Sequence, residues 1–132
     1  MSAKSYTASK RLRIFLVENH SDTRKYLTLY LEQLGHTIAH AESMEEALAS
    51  IPGGNWDLLV SDIGLPDGDG WELLKRLGDS RPAYAVAISG FSMTTDTEMS
   101  RSVGYLDHLI KPIDLDYLDR LLAEVVEKNK EE

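Results

Sequence analysis

Short apolar runs alternate with amphipathic stretches along this chain. Residues 12–17 form a nearly continuous apolar run, the pattern of a strand buried on both faces of a parallel sheet. Over residues 21–34, Leu27, Tyr30, Leu31 and Leu34 fall at helical spacing, and Gly35 supplies the stop. A weaker strand follows at 37–41. Ser43 and Glu46 match a capping box that opens a helix at 44–50, and Pro52-Gly53-Gly54 ends it. Residues 56–61 predict a third strand. Trp71, Leu74 and Leu77 then mark one face of a helix closing near Gly78, and residues 84–88 predict a fourth strand. The Ser- and Thr-rich segment 92–103 has only Met93, Met99 and Val103 as apolar anchors. It predicts a weakly held helix, because hydroxyl side chains compete for the backbone. A fifth strand is expected at 105–110. Asp114 opens a last helix marked by Leu115, Leu118, Leu121, Leu122 and Val125.

Five strands and five helices in strict alternation predict an α/β fold: a five-stranded doubly wound parallel sheet, flavodoxin-like, in strand order 2-1-3-4-5. Right-handed crossovers put every strand's carboxyl end on one edge, where ligands bind in such sheets. One domain is expected over 11–128, between a flexible N-terminal tail, 1–10, and a short C-terminal tail, 129–132.

Charge and composition narrow the function classes. The net charge of −8, with no basic stripe, argues against direct binding to nucleic acid. The absence of cysteine excludes disulfides and thiolate metal sites. No apolar run approaches the roughly 20 residues that span a bilayer, so no membrane association and a cytoplasmic location are expected.

The chemistry gathers at the strand ends. LVEN leaves Glu18 and Asn19 past the first strand, LVSD leaves Asp62 past the third, VAISG leaves Ser89 and HLIKP leaves Lys111. With the first and third strands adjacent, Glu18 and Asn19 are expected beside Asp62. A carboxylate attacking phosphorus yields an acyl phosphate, but two anions must first meet. A divalent cation such as Mg²⁺ relieves that repulsion and asks for only one or two carboxylates besides phosphate oxygens and water. Glu18 and Asp62 can supply charge, Asn19 an amide oxygen and Gly64 its carbonyl. Lys111 can act as a second, point-like cation on a phosphoryl oxygen, and the Ser89 hydroxyl can donate to another.

Other polar residues invite plainer roles. Asp67 and Asp69 are expected to shape the turn and cap the helix at Gly70, while Glu72 and Asp79 belong to a solvated face. His108 is expected as a half-exposed strand residue. His20 and His40 stand at no metal-ligand spacing with it, so no zinc or iron site is anticipated. Lys111-Pro112 is a candidate for a cis peptide bond.

The motifs LVEN at 16–19, SDIGLPDGDG at 61–70, AISG at 87–90 and KP at 111–112 carry a family resemblance. From about Leu12 to Val126 the chain resembles a receiver domain of the two-component response-regulator family. The resemblance implies a regulatory phosphoacceptor rather than an enzyme, phosphorylated on Asp62 by a histidine kinase or a histidine phosphotransfer protein. It implies Mg²⁺ at Glu18, Asn19, Asp62 and the Gly64 carbonyl, with Ser89 and Lys111 on the phosphoryl group. It further implies a downstream protein partner at the face made by the fourth helix, fifth strand and fifth helix, in a monomer or weak homodimer. Ser89 would move toward the phosphoryl group while an aromatic residue on the fifth strand turns inward, and His108 holds that position here.

Two residues depart from the family pattern. Asn19 replaces an acidic residue and lowers the pocket's formal charge by one. His108 replaces Tyr or Phe and opens the switch to pH. Two rivals follow: a pseudo-receiver that binds partners without taking phosphate, which Asn19 favours, and a Mg²⁺-dependent phosphatase, which Gly64 disfavours because such enzymes generally carry an acid–base carboxylate there. Both a stand-alone receiver and a piece of a larger protein such as a hybrid kinase fit the sequence.

Overall fold

The computed structural model describes residues 11–90 and 94–130. The expected N-terminal tail, the Met93 anchor and residues 131–132 lie outside the described residues. Strands β1 (Arg13–Val17), β2 (Thr37–Ala41), β3 (Leu58–Asp62), β6 (Tyr84–Ser89) and β7 (Asp107–Ile110) form one parallel sheet in the order β2-β1-β3-β6-β7. A minor antiparallel ribbon, β4 (Gly64–Leu65) with β5 (Gly68–Asp69), lies between β3 and β6 in sequence. The helices are α1 (Ser21–Gln33), α2 (Met44–Ser50), α3 (Gly70–Leu77), α4 (Thr94–Val103) and α5 (Leu115–Lys130). In chain order the main sheet therefore reads 2-1-3-4-5, as the alternation predicts.

Strand alternation divides the core into two layers. Ile14 and Leu16 of β1, Leu58 and Val60 of β3, and Val86 and Ile88 of β6 face α1 and α5, where they meet Leu27, Leu31, Leu118, Leu122 and Val125. The intervening residues Phe15, Val17, Leu59, Ala85 and Ala87 face the other way, onto Met44, Ala47, Leu73, Leu74 and Leu77 of α2 and α3. The apolar runs are nearly continuous because both faces of the sheet are covered.

Several element boundaries differ from the sequence expectation. The third strand begins at Leu58 and ends on Asp62 itself, not at 56–61. Pairing with β1 starts at Ile14↔Leu58, and Asp57 below it exchanges bonds with Arg13: its Oδ2 accepts the Arg13 N–H at 2.8 Å, and its own N–H donates to the Arg13 carbonyl at 2.8 Å. Trp56 lies beneath the Arg13 guanidinium, 4.6 Å from the ring centroid. The fifth strand is likewise shorter than 105–110: Tyr105 is buried before it, and its hydroxyl donates to the Gly70 carbonyl at 2.6 Å. The close packing there needs Gly70, because a Cβ would stand 2.7 Å from the Asp62 carbonyl oxygen and 3.2 Å from the Tyr105 hydroxyl. The last helix runs to Lys130.

The caps are also redistributed. Asp69 caps α3 as expected, accepting the Glu72 N–H at 2.7 Å. Asp67 instead reaches across to α2, where its two oxygens accept the N–H groups of Met44 and Glu45 at 2.8 and 2.9 Å. Ser43 Oγ accepts the Glu46 N–H at 3.2 Å, but Glu46 turns to the Glu42 N–H at 2.8 Å, so the capping box is only half made. Among the described residues no helix is long and apolar enough to cross a membrane.

Candidate functional site

The register builds the site. Val17 pairs with Ser61, so the next residues up the two strands are Glu18 and Asp62, both pointing to the α1/α5 side. Ser89 pairs with Ile110, which puts Lys111 one step beyond; its N–H continues the ladder to the Ser89 carbonyl at 2.8 Å. Glu18 is 0% exposed and Asp62 5%, and the Lys111 ammonium bridges them. Its Nζ lies 2.9 Å from Glu18 Oε1 and 3.1 Å from Asp62 Oδ2. The Lys111-Pro112 peptide bond is cis. The Gly64 N–H donates to Asp62 Oδ1 at 3.3 Å. Above the carboxylates opens a cleft of about 450 Å³ whose lining includes Asp62, Gly64, Ser89, His108 and Lys111.

Electrostatics differentiate the two carboxylates. Burial and the neighbouring Glu18 carboxylate push Asp62 up from the ordinary aspartate value, against the pull of Lys111. Burial also pushes Glu18 up, but bonds from Lys111 and the His20 backbone outweigh it and hold Glu18 below the ordinary value. Lys111 loses solvation and regains more from its two partners, so its ammonium is held above the ordinary lysine value. Two carboxylates around one ammonium leave one negative charge facing the cleft.

The donors suit a hard divalent cation. Glu18 Oε1, shielded from solvent, is paired with the Lys111 ammonium. Asn19, expected as a ligand, has an exposed side chain. From the same loop it is His20 that lines the cleft: its Nδ1 lies 3.0 Å from Glu18 Oε2, and its backbone N–H donates to that oxygen at 2.9 Å. One ligand atom each from Glu18, His20 and Asp62 falls within 4.8 Å of the others. The sequence reading set His20 only against His108, so this proximity to Glu18 and Asp62 lay outside it. Sequence spacing to His108 and His40 does not test a loop that folds back over the carboxylate two residues earlier.

His108 is corrected, from half-exposed to buried at 8%. It sits opposite Ala87 on the sheet face that carries α3 and α4. Its Nε2 lies 2.9 Å from Ser89 Oγ and its Nδ1 2.9 Å from Ser100 Oγ, which also accepts the Trp71 Nε1–H at 2.9 Å. A polar run thus crosses from α3 through α4 and β7 to Ser89 at the rim of the cleft. Burial lowers the His108 pKa from its ordinary value. Trp71 and Ser100 had no sequence signal beyond a helical apolar face and a hydroxyl-rich segment.

The chain is similar to known proteins along most of its length. The response regulator receiver domain model matches residues 14–123. An uncharacterized 14.6 kDa protein of Leptolyngbya boryana is 32% identical over 119 residues, covering 86% of this chain and 89% of that protein. The sensor protein EvgS of Escherichia coli (strain K12) is 27% identical over 120 residues, 90% of this chain and 10% of that much longer protein. Among solved structures, a two-component response regulator from Clostridium difficile matches with a TM-score of 0.83 at 28% identity, covering 88% of this chain and 96% of that one.

Proposed function

The chain belongs to the response regulator receiver domain family, and on that premise we propose that it accepts a phosphoryl group on Asp62 from a histidine kinase or a histidine phosphotransfer protein. The observation that carries this is the Lys111 ammonium held between two buried carboxylates at the mouth of the sheet. An Asp62 oxygen attacks the donor's phosphorus, the phosphorus–nitrogen bond of the donor histidine breaks, and an acyl phosphate forms on Asp62. Glu18, Asp62, Asn19 and the Gly64 carbonyl are the groups assigned to Mg²⁺, which when bound neutralises charge between the carboxylates and the phosphoryl oxygens. Lys111 is placed to follow the new negative charge onto the phosphoryl group, and Ser89 to donate its hydroxyl there.

The switch follows from the contacts Ser89 must change. Turning toward a phosphoryl oxygen takes its hydroxyl away from His108, whose other nitrogen touches Ser100 on α4. The phosphoryl group thereby biases the packing of α4 against β7. Exposed apolar side chains stand ready on the α4–β7–α5 face: Met99, Ile110 and Tyr117. We assign the downstream protein partner to this face, and read the molecule as a cytoplasmic regulatory monomer or weak homodimer rather than an enzyme.

Incubation with acetyl phosphate and Mg²⁺, followed by intact mass, tests the proposal. The expected result is a gain of one phosphoryl group by the wild type and none by Asp62→Asn. A wild type that gains nothing would leave a constitutive binding module, the reading that Asn19 favours.

A further inference from the structure

His20 has no assigned task in the phosphoacceptor chemistry, yet the fold directs it at the acid pair. It occupies the N-cap position of α1 without its side chain capping anything. Instead, backbone N–H and ring Nδ1 both engage Glu18 Oε2, at 2.9 and 3.0 Å. The imidazole is 68% exposed, so it can turn without disturbing the core, whereas its partner Glu18 is wholly buried. A ligand atom of His20 lies within 4.8 Å of ligand atoms on Glu18 and Asp62, a span that one cation could bridge. Glu18 Oε1, sealed from solvent, is met by the Lys111 ammonium at 2.9 Å, so the pocket already seats a cationic group between its two carboxylates. Asn19, the neighbour on the same loop, has an exposed side chain.

We propose that His20 determines which divalent cation this pocket takes, by adding an imidazole nitrogen to the Glu18 and Asp62 carboxylates. The proposal rests on the reading of this pocket as a cation site and adds its metal preference. Mg²⁺ prefers an all-oxygen, heavily hydrated shell and gains little from a nitrogen. Imidazole suits Mn²⁺ less than Co²⁺ or Zn²⁺, in the order in which divalent ions bind nitrogen donors. The pocket therefore favours Co²⁺ and Zn²⁺ strongly, and Mn²⁺ modestly, over Mg²⁺. The cation so selected sets the conditions under which Asp62 can be loaded.

The test is calorimetric titration of the untagged full chain with Mg²⁺, Mn²⁺, Co²⁺ and Zn²⁺, beside His20→Ala, His20→Gln and, as a surface control, His40→Ala. Removing the imidazole is expected to weaken Co²⁺ and Zn²⁺ by about tenfold or more while leaving Mg²⁺ within about twofold. His40→Ala should match the wild type. Electron spin-echo modulation of bound Mn²⁺ should show a nitrogen coupling in the wild type that both His20 variants lose. A Co²⁺-to-Mg²⁺ affinity ratio unchanged by His20→Ala, or Mn²⁺ bound with no nitrogen coupling, would overturn the assignment. So would a wild type that binds none of the four ions. Cations bound in a His20-dependent way by a protein that acetyl phosphate cannot load would instead sink the phosphoacceptor reading and leave this one standing.

Discussion

His108 makes two hydrogen bonds that no phenyl ring could make, and its tautomer sets which groups donate. Trp71 Nε1–H can only donate, so Ser100 Oγ accepts from it and keeps its own proton to give. A Ser100 proton given to His108 Nδ1 corresponds to the tautomer with the imidazole proton on Nε2, donating to Ser89 Oγ. Nitrogen-15 NMR should therefore find neutral His108 at pH 7 with its proton on Nε2, titrating below 6.5 because burial disfavours the cation. Ser100→Ala should weaken the preference for that tautomer. A proton resident on Nδ1 in the wild type would contradict the direction assigned to the run.

Arg81 joins two elements that the hydrophobic pattern leaves unconnected. Its guanidinium donates to the carbonyls of Leu74 at 2.9 Å, Val103 at 3.1 Å and Gly78 at 3.2 Å, closing the ends of α3 and α4 together. Charge-assisted bonds to partly buried carbonyls contribute about 1.5–3 kcal/mol. Arg81→Ala should therefore lower the free energy of unfolding by about 2 kcal/mol in a urea titration and speed amide exchange in the last turn of α4. Exchange unchanged in that turn would show that α4 is held by its apolar contacts alone. Helices and strands were legible as elements because both faces of the sheet are covered and the helices keep a 3.6-residue apolar stripe. Their junctions were less so: Asp67 caps α2 across the ribbon, and Asp57 and Trp56 leave the third strand to pair with Arg13. Such choices are made by tertiary partners rather than by neighbours in sequence.

Across the whole molecule, the sheet order and four of the site residues follow from one regularity. Glu18, Asp62, Ser89 and Lys111 each stand at or one step past a strand's carboxyl end, so parallel register alone gathers them. His20, Ser100 and Trp71 were not legible as site groups because the path of a loop or the docking of a helix brings them in. One buried and one half-buried histidine give the fold a shared acid limb. His36 Nδ1 accepts the Leu12 N–H at 3.0 Å, and burial lowers its pKa as it lowers that of His108. Each stays neutral in the folded state while the unfolded chain takes up a proton below its ordinary value of 6.5. Stability should thus be complete above that pH and fall as the pH drops toward the lowered folded values. Urea midpoints measured from pH 8 to pH 5 should show this decline, and His108→Phe should make it shallower.

The central claim is that the acyl phosphate forms on one carboxylate, Asp62, beneath Lys111. Borohydride reduction of the phosphorylated chain converts an aspartyl phosphate to homoserine, and peptide sequencing then locates it. The account predicts homoserine at position 62 and at no other acidic residue, with its yield sharply reduced in Lys111→Met. Homoserine elsewhere in the chain, or none after phosphodonor treatment, would contradict it.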